Sequence, residues 1–223
     1  MSVNLKAFAS IKEELKSFNA ELVAVSKTKP QGDILQVYNA GQRLFGENYV
    51  QELTEKYETL PKDIEWHFIG HLQSNKVKYI APFISLIHGV DNFNLLQEIN
   101  KQALKNNRVI DCLLQIYIAE EETKFGISYE ECRAIIDSKE FTELKNIRIT
   151  GLMGMATLTD NLIQMQKEFH SLFEFYKRLQ TADSGLKTLS MGMTSDYKIA
   201  LSAGSNMVRI GSDIAAWCPI KSC

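Results

Sequence analysis

Nothing in this sequence is apolar for long enough to cross a bilayer. The longest apolar stretch, around residues 80–90, is interrupted by Pro82, Ser85 and His88 and falls well short of the ~20 residues a membrane helix needs. An export signal is missing from the start as well: Leu5, Phe8, Ile11, Leu15 and Phe18 are separated by polar and charged residues, the spacing of a packing helix. Neither sign of charge dominates, since 25 Lys and Arg stand against 27 Asp and Glu. No basic block follows a nucleic-acid backbone. Cysteine is scarce, and Cys112, Cys132, Cys218 and Cys223 show no C-x-x-C spacing, so reduced thiols are expected, with Cys223 the most exposed, rather than a disulfide framework or a zinc site. No Gly/Ser linker or second composition divides the chain. These absences predict a cytoplasmic protein that binds neither membrane nor nucleic acid, with residues 1–223 as a single domain.

What is present is an alternation. Apolar runs predict strands at 21–26, 43–46, 64–69, 85–90, 112–118, 147–153, 187–191 and 206–210. Helical patterns lie at 4–18, 31–39, 47–58, 72–79, 92–106, 128–138, 159–181 and 195–203. Asp91-Asn92 and Thr159-Asp160 offer side chains suited to accept the first free amides of a helix. Strict alternation with short loops argues for one parallel sheet wrapped by helices. Eight strands fit a closed (β/α)₈ barrel of TIM type, α/β in class, better than an open doubly wound sheet, which is the alternative.

In such a barrel, functional residues sit where strands end and loops begin. Lys27 ends the first apolar run, Leu22-Val23-Ala24-Val25-Ser26; a lysine carried by a buried strand into the mouth is expected to be desolvated, which lowers its pKa and frees a neutral amine for an aldehyde. Lys29 is a rival that spacing separates from it only weakly. Arg209 ends the last strand and is followed by Ile210-Gly211-Ser212, where Gly211 lets backbone N–H groups approach a phosphate. The loop after the seventh strand, Ser190-Met191-Gly192-Met193-Thr194, supplies hydroxyls and amides to the same place. A Schiff-base lysine, an arginine for a pyridine nitrogen and a phosphate cradle are what pyridoxal 5′-phosphate needs from a protein. Asn48 either touches the cofactor ring or caps the next helix. Met153 reads as barrel filling, while Met155 is near enough to the mouth to pack on a flat ring. His67 and His71 lack a third metal ligand and read as hydrogen-bonded barrel-end residues.

At these residues the chain resembles the YggS/PROSC family of pyridoxal phosphate homeostasis proteins. The segments that carry the resemblance are Ala24 to Pro30, Phe45 to Tyr49, Trp66 to Lys76, Gly151 to Met155, Ser190 to Met193, and Gly204-Ser205 to Gly211. The resemblance implies a barrel like the N-terminal domain of alanine racemase (a fold-type III PLP barrel) without a C-terminal β domain. It implies Lys27, over Lys29, as the Schiff-base lysine, Arg209 at the pyridine nitrogen, and the loops at Ser190 to Thr194 and Gly211-Ser212 around the phosphate. The chain departs from the family at Tyr117, where asparagine is common, at Thr194, where serine is common, and at Asp213 to Trp217. Thr194 keeps the hydroxyl.

Two functions follow from a pyridoxal phosphate barrel. One is a carrier in vitamin B6 homeostasis that hands the cofactor to apo-enzymes, as a monomer or weak dimer; the other is an amino-acid racemase. An arginine at the ring nitrogen weakens the ring as an electron sink. Racemisation also needs two acid/base groups on opposite faces of the α-carbon; in the barrel-type alanine racemases the second comes from an extra β domain, for which Tyr49, Tyr117 or Tyr197 would have to substitute, so the carrier is the expectation.

Overall fold

The computed structural model describes residues 3–120, 125–180 and 185–214. Eight parallel strands close into a barrel in sequence order: β1 (Glu21–Val25), β2 (Leu44–Glu47), β3 (Glu65–Phe68), β4 (Leu86–Val90), β5 (Ile110–Ile116), β6 (Ile147–Gly154), β7 (Thr188–Met193) and β8 (Met207–Ile210). Closure is made by β1 against β8, with Leu22 opposite Val208 and Ala24 opposite Ile210. Around them lie α1 (Leu5–Lys16), α2 (Gln31–Asn39), α3 (Val50–Thr59), α4 (Val77–Ile80), α5 (Phe93–Lys105), α6 (Tyr129–Ile136), α7 (Lys139–Thr142), α8 (Leu162–Leu179) and α9 (Tyr197–Ser202). The predicted strands and the closed α/β barrel are observed.

The alternation of each strand divides its side chains between two cores. Leu22, Phe45, Trp66, Ile87, Leu114, Leu152, Leu189 and Val208 belong to the large cluster that includes Phe8, Leu96, Phe169 and Leu172 of the helices. Residues of the other parity, Val23, Leu86, Leu113, Met153 and Met207, form a smaller cluster inside the barrel. Met153 is therefore barrel filling. Each such Val, Leu or Ile contributes ~1.5–3 kcal/mol by leaving water, so the two faces of the sheet enforce one register.

Helix starts follow side-chain chemistry, with some displacement from expectation. Asn92 caps α5, accepting from the Leu95 N–H at 2.8 Å. The cap of α8 is Asn161, which accepts from Gln164 N–H at 3.2 Å; the helix begins after the expected Thr159-Asp160 pair because Asn161 closes the first turn. In α1, Phe8, Ile11 and Leu15 are buried, whereas Leu5, in its first turn, and Phe18, past its end at Lys16, are 43% and 44% exposed. The predicted helix at 72–79 splits into a 3₁₀ turn, Ser74–Lys76, and α4. Among the described residues no helix is long and apolar enough to cross a membrane. Cys112 and Cys132 are buried and free, and burial pushes the Cys132 thiol up to about 12; Cys218 and Cys223 lie outside the described residues.

One close approach fixes the barrel wall between β6 and β7. A Cβ at Gly151 would sit 1.7 Å from the Thr188 carbonyl oxygen, so no larger residue fits without parting the strands. Gly151→Ala is expected to lower the unfolding free energy by ~3 kcal/mol, read as a fall in the urea midpoint. Gly32→Ala, where a Cβ meets nothing within 4 Å, should hold or raise that midpoint. Equal midpoints for Gly151→Ala and the parent protein would contradict the packing.

Candidate cofactor site

The inner parity that carries apolar side chains low in the barrel carries polar ones toward the strands' C-terminal ends. His67 on β3, His88 on β4, Gln115 on β5, Ser190 on β7 and Arg209 on β8 are all buried; the first two share the parity of Ile69 and Leu86, Gln115 and Arg209 that of Leu113 and Met207 in the inner cluster, and Ser190 has the parity opposite to Leu189 and Met191 of the outer one. Four of them are linked. Arg209 Nη1 donates to Ser190 Oγ at 2.6 Å and to the Ser190 carbonyl at 2.9 Å, and Nη2 donates to the Gly154 carbonyl at 3.3 Å. His88 Nδ1 lies 3.1 Å from Ser190 Oγ, and His88 Nε2 lies 3.1 Å from His67 Nδ1.

Arginine only donates, so Ser190 Oγ accepts from it, and its free proton allows an order in which the hydroxyl donates to His88 and His88 in turn to His67. That order requires both imidazoles to be neutral. Burial holds His67 at about 3, and burial, then the His67 and Arg209 charges, holds His88 well below its ordinary value. Burial also pulls Arg209 down to about 10, against the pull of Asp196 in the other direction, which leaves the guanidinium charged at neutral pH. Three of its five N–H groups are engaged by protein oxygens.

Lys27, just past the end of the neighbouring strand β1, stands in a different environment. It has the inward parity of Val23, but β1 stops at Val25 and Lys27 is exposed, so the expected desolvation is not found. The chain turns instead, with Lys29 N–H donating to the Ser26 carbonyl at 3.0 Å and Thr28 at φ 62°. A β-branched residue rarely enters that left-handed region, at a cost of roughly 1–3 kcal/mol. Lys29, on the far side of the turn, lines a small cavity with Asp33 and Ile34 of α2, outside the barrel. The turn thus separates the two lysines that spacing left unresolved.

The loops after β7 and β8 meet at the mouth. Gly211 N–H donates to Thr194 Oγ1 at 3.3 Å, so this amide is engaged rather than free as expected, although by a long contact. Met193 N–H donates to Asp196 Oδ1 at 2.5 Å, which shapes the loop. Ser212 is exposed, while Ser190 is 0% exposed and sits a layer below; its hydroxyl serves Arg209 rather than the loop. Met155 and Met193 line one cavity of about 610 Å³ beside these loops. Asn48 does not cap α3, whose N-cap is Tyr49; its Oδ1 is buried with no partner among the described residues, and the residue lines a second cavity of about 670 Å³ with His71, Lys76 and Tyr79. Tyr197 is turned away, donating to Glu14 Oε2 at 2.9 Å, and burial and Glu14 push its hydroxyl up to about 12.

His67 and His71 do not converge. His71 is exposed, 3.2 Å from Asp91 Oδ2 and stacked on Phe125, and among the described residues no three His, Cys, Asp or Glu side chains are grouped to hold a metal ion. The hydrogen-bonded partner of His67 is His88, which in the sequence stands only as a break in an apolar run. Its signal was the alternation itself: Leu86 and His88 share one face of β4 as Ile69 and His67 share one face around the end of β3. An exposed amine, a fixed buried guanidinium and two linked loops bearing hydroxyls suit a flat heteroaromatic ligand with a carbonyl and an anionic arm.

A barrel with this mouth places the chain in a known class: residues 3–216 match the model of the alanine racemase N-terminal domain, and the chain belongs to that family. Within it, the chain is 42% identical to the pyridoxal phosphate homeostasis protein of Aquifex aeolicus over 196 residues, covering 86% of this chain and 85% of that one. It is 39% identical to the protein of the same description from Haemophilus influenzae over 218 residues, covering 95% and 91%. Among solved structures it superposes on PipY of Synechococcus elongatus with PLP bound, with a TM-score of 0.85 and 32% identity over 95% of this chain and 99% of that one.

The neutral histidine pair makes stability depend on pH. Unfolded, each histidine takes up a proton near 6.5; folded, His67 does so only near 3. Below about pH 6.5 the unfolded chain therefore binds more protons, and stability falls as pH falls, by on the order of 1.4 kcal/mol per pH unit for each histidine inside its window. Urea midpoints measured between about pH 7 and pH 5 should fall more steeply for the parent protein than for His67→Gln. Equal slopes would mean that the pair is not held neutral.

Proposed function

We propose that this protein binds pyridoxal 5′-phosphate at the C-terminal mouth of the barrel, carries it as a Schiff base on Lys27, and serves intracellular vitamin B6 homeostasis. The observation that carries the reading is the buried Arg209 on β8, fixed by Ser190 and Gly154 with two N–H groups left without a partner among the described residues, beside the strand β1 that leads to the exposed Lys27. The residues fit the cofactor's chemistry. Arg209 supplies a donor for the ring nitrogen and, being charged, disfavours a proton there. Thr194 and Ser212 supply hydroxyls, and Gly211 a backbone amide with no side chain over it, as a cradle for the phosphate; the long Gly211–Thr194 contact of 3.3 Å is one an anion readily replaces. Met155 and Met193 offer soft apolar surface to the ring, and Asn48 at the end of β2 brings a buried acceptor, without a partner among the described residues, that the ring would reach only if the side chain turned from its own cavity.

When bound, the cofactor supplies an aldehyde that an amine captures reversibly and a ring that withdraws electrons. The chain's own groups favour carriage over racemisation. Tyr197 is committed to Glu14 and leaves the candidates for a second acid/base group, and Arg209 opposes build-up of charge on the ring. PLP-dependent apo-enzymes are the expected recipients, and the free buried thiols of Cys112 and Cys132 accord with a cytoplasmic setting.

The test is the visible absorption spectrum of the protein and of Lys27→Ala after addition of pyridoxal 5′-phosphate and then borohydride. The parent protein should turn yellow, lose the band on reduction and carry the added mass on the peptide containing Lys27; Lys27→Ala should do none of these. A reducible band of equal strength in Lys27→Ala would overturn the assignment.

A further inference from the structure

Both neighbours of Lys27 in the chain are tied to one buried ammonium. Lys56, on α3, is 4% exposed, and its Nζ donates to the Ser26 carbonyl, to Glu47 Oε1 and to Glu52 Oε1, each at 2.7 Å. Those bonds use all its donors. Ser26 immediately precedes Lys27, and its hydroxyl donates to the same Glu47 oxygen at 2.6 Å. Thr28 immediately follows Lys27, and its N–H donates to Glu52 Oε1 at 2.6 Å, the oxygen that Lys56 also holds. The strained left-handed Thr28 is thus gripped at its amide, and the carbonyl before Lys27 is gripped at its oxygen.

An ion pair that only pinned α3 to the barrel would need Glu47, at the end of β2, and no more. The additional bonds run to the backbone on either side of one residue, and that residue is exposed and makes no hydrogen bond or ion pair of its own with described residues. Resting on the reading that Lys27 takes the cofactor, we infer that Lys56, acting with Glu52 and Glu47, is a positioning residue that holds the 26–29 turn so that Lys27, and not Lys29, presents its amine to the barrel mouth. Burial pushes the Glu47 carboxyl up while Lys56 and Ser26 pull it down, so the clamp is built around a carboxylate that needs the ammonium.

The experiment compares the parent protein with Lys56→Met, with the double variant Glu47→Gln/Lys56→Met, which removes the buried charge that the single change would strand, and with the exposed control Lys101→Met. Each is treated with pyridoxal 5′-phosphate, reduced with borohydride over a time course and mapped by peptide mass spectrometry; amide exchange at Thr28 is followed without cofactor. The parent protein and the control should label Lys27 alone. Both clamp variants should label at least about tenfold more slowly, divide the label between Lys27 and Lys29, and exchange the Thr28 amide at least about tenfold faster. A purely structural role would lower the melting temperature of the variants and leave the label on Lys27 alone at the parent rate; that result, in whichever variant folds, overturns the inference and leaves the proposed function standing. No label on Lys27 in the parent protein would overturn the proposed function itself, and the inference with it.

Discussion

The interior of this barrel depends on one buried cation. Arg209 is 4% exposed, and a charge removed from water is tolerated only where oxygens replace the lost hydration. Ser190 supplies two of them and Gly154 a third. Everything above the apolar layer of the barrel follows from that requirement: an inward hydroxyl on β7, a carbonyl turned inward at the end of β6, and histidines on β4 and β3 that continue the chain of hydrogen bonds and must stay neutral to do so.

The two groups proposed to meet the cofactor are held in opposite ways. Arg209 sits on a strand, bonded on several sides and shielded from solvent, so its orientation is set before any ligand arrives. Lys27 sits past the end of its strand on a tight turn, exposed, with its flanking backbone anchored through Lys56 and Glu52. A fixed donor for the ring and a reachable amine for the aldehyde would give the proposed ligand orientation without burying the covalent link.

The barrel was legible in the sequence because eight apolar runs alternate with eight helical patterns and parallel strands covered on one face by helices leave little choice of closure. Lys27, Arg209, Gly211 and Thr194 could be singled out because they end strands or follow them. The polar chain inside was not legible: it joins β3, β4, β7 and β8, residues up to 102 apart in the case of His88 and Ser190, and only closure brings them within reach. Nor could spacing foresee that Lys27 lies outside the desolvated interior, because this depends on β1 ending two residues earlier and on a positive φ at Thr28, a conformation that threonine rarely adopts. Asn48 failed as a cap for a similar local reason, since α3 starts from Tyr49.

The central claim is that a charged, buried Arg209 faces the cofactor's ring nitrogen. It is tested most directly by the ¹⁵N chemical shift of the ring nitrogen in labelled pyridoxal 5′-phosphate bound to the protein. The account predicts the shift of an unprotonated pyridine that accepts a hydrogen bond, lost or moved toward the free-ligand value in Arg209→Met. A pyridinium shift in the parent protein would contradict it, because a protonated ring nitrogen and a guanidinium cannot share that buried contact.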